Sequence, residues 1–390
     1  MAEPRPVRAA LGAVTTTTVS VLPVFLTGGL AVQISAELGF DPSGLGLVVA
    51  LFFAVSALSS LPGGWLVERF GSGPTSRAAV LGAAVVMSAV ALLAHTYAAL
   101  VAILLCGAWC NVLGQLASNL TLARYVPAHR LGLSFGIKQA AIPLSTLLAG
   151  AAVPAVALTL GWRWAFGIGA VLALSALFIS PRDTAGRERT PATPGERATG
   201  ALSVIGVAAG LAAGSSSALG IFLVASAVDR GIDVGTAGLI LTLGSVVGLT
   251  LRLLHGWLAD RRTGGHITVV AASLLLGAGG LVLLAVPGTP ALMLGTVLGF
   301  GLGWAWPGLL QFAVVRLNPS APAAATSIVQ VGVYSGGFIG PVGFGFLATH
   351  FSFPTAWLVG AAAMVVAAAL MVVGRRMLVA HRDARASTSV

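Results

Sequence analysis

Apolar residues run along this chain in blocks of about 20, each closed by a short cluster of Gly, Pro, Arg or Asp. A helix needs about 20 apolar residues to cross the hydrocarbon core of a bilayer, because it rises about 1.5 Å per residue. Twelve such spans are predicted, six in each half of the chain. The first six lie at about 11–36, 43–67, 76–95, 97–123, 131–158 and 163–181. The second six lie at about 201–228, 234–259, 266–286, 290–315, 322–349 and 354–374. A membrane β-barrel would alternate polar and apolar positions over strands of about ten residues, and no stretch here does so. The expected fold class is an all-α membrane protein of twelve transmembrane helices.

Composition agrees with this pattern. Hydrophobic residues are 57% of the chain and charged residues 8%, against roughly 25% charged in soluble domains. Residues 181–200 break the pattern, being rich in Pro, Thr, Arg and Glu. Such a segment forms no apolar core and reads as a linker. The organisation expected is a tail at 1–10, a helical bundle at 11–181, a linker at 182–200, a second bundle at 201–374 and a tail at 375–390. The net charge of +10 does not imply nucleic acid, because the basic residues sit in short connections and tails. Seventeen of them fall on the side of the N-terminus, and only Arg163 and Arg230 on the other. The positive-inside rule makes both termini and the linker cytoplasmic in a multi-pass protein of the cell (inner) membrane. The short basic start runs into the first apolar block without an Ala-x-Ala cleavage cue, so a retained span is expected. Cys106 and Cys110 lie one turn apart within an apolar block and read as small packing residues.

The two halves repeat each other. Gly64-Trp-Leu-Val-Glu-Arg-Phe-Gly71 ends the second span, and Gly256-Trp-Leu-Ala-Asp-Arg-Arg-Thr-Gly264 ends the eighth, 192 residues later. Arg124 and Arg316 keep the same spacing, and Ile137-Lys-Gln139 matches Ile328-Val-Gln330 at an offset of 191. Two pseudo-symmetric six-helix bundles carrying this motif twice resemble the bacterial-type, twelve-span major facilitator superfamily over about 11–374. Gly161-Trp-Arg-Trp-Ala-Phe166 is similar to the family's entry into span six. The resemblance implies a transporter working by alternating access. It also implies that Gly64, Glu68, Arg69, Gly71, Arg124, Gly256, Asp260, Arg261 and Arg316 form latches on the cytoplasmic side. The chain departs from the family pattern in three places: Glu68 stands for an aspartate, Ser72-Gly-Pro74 replaces a basic pair, and Thr263 stands for a glycine.

Charge inside the membrane bears on the cargo. Lys138, the chain's one lysine, lies eight residues past Arg130, and Arg252 lies eight before Asp260. Each is about 12 Å along its helix, where a charge costs at least about 2.5–3.5 kcal/mol. All eleven acidic residues fall in loops, tails or span ends, so no carboxylate offsets these cations. The resemblance places spans five and eight face to face across the halves. An anionic substrate is therefore expected, with Arg252 as a bidentate carboxylate clamp and Lys138 as a point charge. The plainer reading is that both side chains snorkel or bond to helix carbonyls. Arg252-Leu-Leu-His-Gly256 also resembles span eight of monocarboxylate and oxalate–formate type carriers. His255, one turn from Arg252, is a candidate proton relay or a packing residue.

Polar positions at mid-span complete the candidate site: Asn111 and Gln115 in span four, with Asn119 on the same face, then Gln139, Gln311, Gln330, Tyr334 and Trp304. In a bilayer these either bond between helices or line a wet cavity. Glycine ladders at 206/210/214, 295/299/303 and 332/336/340 are expected at sliding helix contacts, and Pro143, Pro307 and Pro341 at kinks in spans five, ten and eleven. The function expected is secondary transport of a small organic anion, a carboxylate, by proton symport or anion exchange. A drug or natural-product exporter is the alternative within the class, and a non-transporting receptor or sensor the alternative outside it. No nucleophile–base pair, metal cluster or nucleotide loop is present in the sequence, so no enzyme activity, metal or cofactor is expected. A small-molecule substrate and the lipid bilayer are the partners expected of a monomer.

Overall fold

The computed structural model describes residues 6–126, 131–178, 199–318 and 322–388. The linker expected at 182–200 falls almost wholly outside them. Among the described residues every regular element is a helix. The N-terminal half contains α1 (Pro6–Gly29), α2 (Ala31–Leu38), α3 (Pro42–Phe70), α4 (Ser72–Leu93), α5 (Tyr97–Tyr125), α6 (Leu131–Gln139), α7 (Ala141–Ala152) and α8 (Trp162–Ser175). The C-terminal half contains α9 (Thr199–Asp229), α10 (Val234–Arg261), α11 (His266–Ala285), α12 (Thr289–Leu298), α13 (Trp306–Leu317), α14 (Pro322–His350) and α15 (Phe353–Thr388). Eleven stretches are long and apolar enough to cross a membrane, and the sixth span is a shorter apolar helix, Trp162–Phe178.

Caps at the side away from the termini follow from the sequence. Asp41 accepts from Gly44 N at 2.8 Å and precedes Pro42 at the first turn of α3. Thr96 accepts from Ala99 N at 3.1 Å, and Asp233 from Thr236 N at 3.0 Å. Each side-chain oxygen satisfies one of the amides that a helix start leaves bare. On the same side Glu37 takes Arg163 Nη1 at 2.6 Å and Trp162 Nε1 at 2.7 Å, while Arg163 also donates to Ala94 O. The guanidinium lies 4.2 Å from the Trp162 ring centroid. These contacts tie α2, the end of α4 and the start of α8 together within one half. The bond from Arg163, then that from Trp162, holds the Glu37 carboxyl below the usual glutamate range. The group's folded value is depressed, so its stabilisation is complete above the ordinary glutamate pKa of about 4.3 and is lost as pH falls through the lower folded value. Thermal unfolding of Glu37→Gln against the unmodified chain is expected to show a gap at neutral pH that closes in acid.

The glycine ladders are places of close helix approach. A Cβ on Gly206, Gly210 or Gly214 of α9 would meet the main chain of α14 at Ile328, Gly332 or Gly336. Gly295 meets Gly280 and Leu284 of α11, and Gly303 approaches Gly277. All three ladders build seams inside the C-terminal half. The halves meet at other glycines: Gly28 against Ile221, Gly46 against Pro341, Gly136 against Arg252 and Gly256, and Gly150 against Gly238 and Thr242. At Gly336 an added Cβ would collide with the Gly210 carbonyl, which neither helix can move cheaply. Gly336→Ala is expected to cost up to about 3 kcal/mol, the upper range for overpacking. Gly343→Ala, on the same helix but facing open space, is expected to be neutral or stabilising in the same thermal-shift assay.

Two of the three expected proline breaks appear. Span five divides into α6 and α7 around Ala140, and span ten runs α12, a π-turn Gly299–Gly303, then α13. Pro341 does not break span eleven: α14 continues through it, and the Pro341 carbonyl region instead receives Gly46 of the other half.

Candidate functional site

The helix interruptions are where the buried arginine acts. Residue 143 is proline, so the carbonyl four residues earlier, Gln139 O, loses its helical donor. Trp304 precedes α13 in a non-helical conformation (φ −122°, ψ 2°), so its carbonyl also lies outside a ladder. Arg252, 2% exposed, answers both. Its Nη1 donates to Gln139 O, and its Nε and Nη2 donate to Trp304 O at 3.1 and 2.7 Å. The guanidinium carbon lies 5.6 Å from the Trp304 ring centroid, and that ring packs on Phe25 and Phe300. The Nε/Nη2 edge, the one a carboxylate would grip, is filled by a carbonyl in this conformation. For Arg252 the plainer sequence reading, bonding to helix carbonyls, describes the geometry found.

Lys138 is different. It is 3% exposed at the end of α6, and no hydrogen bond or ion pair reaches it among the described residues. Ser134, one turn earlier, and Ala141 and Ser145 beyond it lie on its face of the helix and are equally buried. Ser145 reaches Thr18 O at 3.2 Å, which places this face toward α1. The sole ion pair among the described residues is Arg163–Glu37, at the far end of the bundle. His255 is buried, touches the main chain at Ala305 and leaves Nδ1 without a partner.

The polar mid-span residues form one cluster in each half. Asn111 Nδ2 donates to Ser56 Oγ at 3.2 Å, and Ser60 Oγ to Ser56 O at 2.9 Å. In the other half Gln311 Nε2 donates to Gln330 Oε1 at 3.4 Å, and Tyr334 lies close enough to Ser60 and Gln330 for its hydroxyl to be influenced by both. Asn111 Oδ1 stays buried without a partner. Gln115 is half-buried and Asn119 exposed, so the expected polar face of span four is only partly inside. Ser56 and Ser60 were not candidates from sequence. Small hydroxyls that back-bond within their own helix look alike wherever they occur. A groove of about 690 Å³ between α9, α14 and α15 is lined mostly by glycines and aliphatic residues, with Ser203, Ser215, Ser335 and Phe344, and by none of the candidates.

The repeated motif is built as two related ends. Arg69 lies 5.0 Å over Trp65 and Arg261 3.6 Å over Trp257, the same stack four residues apart in each copy. Gly71 turns the chain at φ +82° and ψ 172°, whereas after the second copy the positive φ falls on Gly265, at +77° with ψ 12°, in the left-handed helical region. Gly256 lets α10 approach Gly132 and Gly136, whereas Gly64 faces open space. Asp260 accepts from Gly132 N and Leu133 N, both at 2.9 Å. The carboxylate thereby caps the start of α6, in the opposite half. Arg316 donates to Arg262 O at 3.2 Å and lies over Phe312, with no ion pair to Asp260. The side chains of Glu68 and Arg124 lie outside the described residues, so the first latch has no counterpart to report. The seam of spans five and eight is closed from Gly132/Gly256 to Gly150/Gly238. At the end away from the termini, Ser43 N also donates to Thr349 Oγ1 across the halves at 3.0 Å.

This architecture has known counterparts. No curated protein matches the chain. A solved bacterial homologue of the human lysosomal transporter Spinster, in an inward-facing and unoccupied conformation, superposes with a TM-score of 0.71 at 16% identity, covering 97% of each chain. The same homologue, inward-facing and occupied, gives 0.69 at 16% identity over 97% of each chain. At that identity the likeness is one of fold. The family model for the Major Facilitator Superfamily matches twice, at residues 13–206 and 205–388, one copy for each repeat of the latch motif. The chain therefore belongs to the major facilitator superfamily and is a membrane transporter rather than an enzyme.

Proposed function

We propose that the protein is a secondary transporter of a small organic anion, a carboxylate, moved by proton symport or anion exchange, with the terminus side cytoplasmic. One observation carries this reading: a buried lysine with no acidic neighbour at its depth and no partner among the described residues. An ammonium held in a low-dielectric site without a counter-ion is stabilised most by an arriving carboxylate. Arg252 adds positive potential to the same seam, while Lys138 makes the direct contact. Asn111, Ser56, Ser60, Tyr334, Gln330 and Gln311, together with Gln115 and Gln139, supply neutral donors and acceptors for the rest of the substrate. The twofold build fits rocking of two bundles about a central site.

The test is uptake into proteoliposomes from a panel of mono- and dicarboxylates, with and without a pH gradient and with and without internal anion. Uptake of at least one carboxylate is expected. Preference for a cationic drug over every carboxylate would hand the case to an exporter of drugs or natural products. If a pH gradient drives uptake, His255→Gln separates a histidine relay from a proton carried by the substrate or by Lys138.

A further inference from the structure

We propose that Arg252 is a positioning residue that ties the two halves together through main-chain carbonyls, and that an anion arriving at Lys138 opens the tie. Gln139 belongs to the N-terminal half and Trp304 to the C-terminal half, so one guanidinium closes a bare carbonyl in each. The proline that frees Gln139 O and the arginine that fills it lie on opposite halves, at Pro143 and Arg252. Three of the five N–H donors of the guanidinium are engaged in this way. Both acceptors are neutral carbonyls, whereas a carboxylate brings a full opposite charge and a bidentate geometry to the same donors. Lys138 is the residue immediately before the tied carbonyl. An anion seated on Lys138, on the side of α6 that faces α1, and extending toward α10 competes with Gln139 O for the Nη1 donor. Once that bond is exchanged, α6 and α10 are no longer joined by the arginine at the break in span five, and the Asp260 cap at the start of α6 is the remaining hydrogen-bonded hold. The ligand in this step rests on the proposed anion reading; the tie itself does not.

The seam carries its own gauge. Thr146 lies seven residues beyond Gln139 and Ser245 seven before Arg252, and their hydroxyls meet at 2.7 Å. With Cys106 and Cys110 replaced by Ser, a Thr146→Cys/Ser245→Cys pair reports seam closure by its rate of oxidative cross-linking. With Arg252 present, fast cross-linking is expected, slowed by the best carboxylate of the panel. Arg252→Gln is expected to cross-link at least about tenfold more slowly and without response to the carboxylate. It is also expected to lose at least about tenfold in maximal exchange rate. Arg252→Lys keeps the charge and protects the fold, yet its single head cannot bridge two carbonyls, so it is expected to behave like Arg252→Gln. Unchanged cross-linking in Arg252→Gln overturns the tie. So does full recovery in Arg252→Lys. If no carboxylate binds the unmodified protein, the substrate reading fails, while the ligand-free cross-linking comparison still decides the tie.

Discussion

Lys138→Met is expected to lower apparent affinity for the transported carboxylate about 100-fold while raising the thermal stability of the protein. The two effects share one cause. Lys138 is buried with no counter-ion, so its charge destabilises the empty fold. Methionine fills nearly the same volume without it. Losing the direct charge contact to a bound anion costs about 2–5 kcal/mol, with each 1.4 kcal/mol worth a factor of ten. A residue that trades stability for activity in this direction serves function. Uptake kinetics and a thermal-shift measurement on the same preparation check both parts. A variant that is destabilised, or that transports normally, removes Lys138 from the site.

The second large effect is expected at Asp260. Its carboxylate accepts two amides at the start of α6, a charge-assisted cap that also faces the positive end of the helix dipole. Asp260→Ala removes both bonds, about 2 kcal/mol of seam closure, or about 30-fold in the balance between closed and open ends. Asp260→Asn keeps one acceptor oxygen and is expected to fall between. A single cysteine at Leu133, in a chain without Cys106 and Cys110, reports opening through its labelling rate with an impermeant maleimide. An unchanged rate in Asp260→Ala would mean that this contact does not hold the seam.

The architecture was legible in the sequence because apolar run length and a motif repeated at 192 residues are one-dimensional signals. Lys138 and Arg252 were legible for a related reason: charge at membrane depth is rare enough to stand out. What Arg252 touches was not. Its acceptors are main-chain oxygens 113 and 52 residues away, and a carbonyl has no letter in a sequence. Pro143 was visible, but the consequence of its missing N–H, a bare Gln139 carbonyl facing another helix, needs three dimensions. Glycine every four residues states that a helix is approached closely, as α9 and α14 are, yet it does not say by which half. The inter-half contacts fell on Gly28, Gly46, Gly136, Gly150 and Gly256, isolated positions with no pattern of their own.

The two ends of the inter-half contact are held by different forces. Away from the termini, among the described residues, the halves meet through glycine backbones and neutral hydroxyls, as at Gly46/Pro341 and Ser43/Thr349. The far-side ion pair, Arg163–Glu37, lies inside one half and spans no joint. On the terminus side the joint is a carboxylate, Asp260, exposed to water at a helix start. Dissolved salt screens the second kind of contact within about 10 Å at 0.1 M and leaves the first almost untouched. Ionic strength should therefore act on this transporter as a one-sided lever, loosening the end that carries the termini while the opposite end keeps its grip.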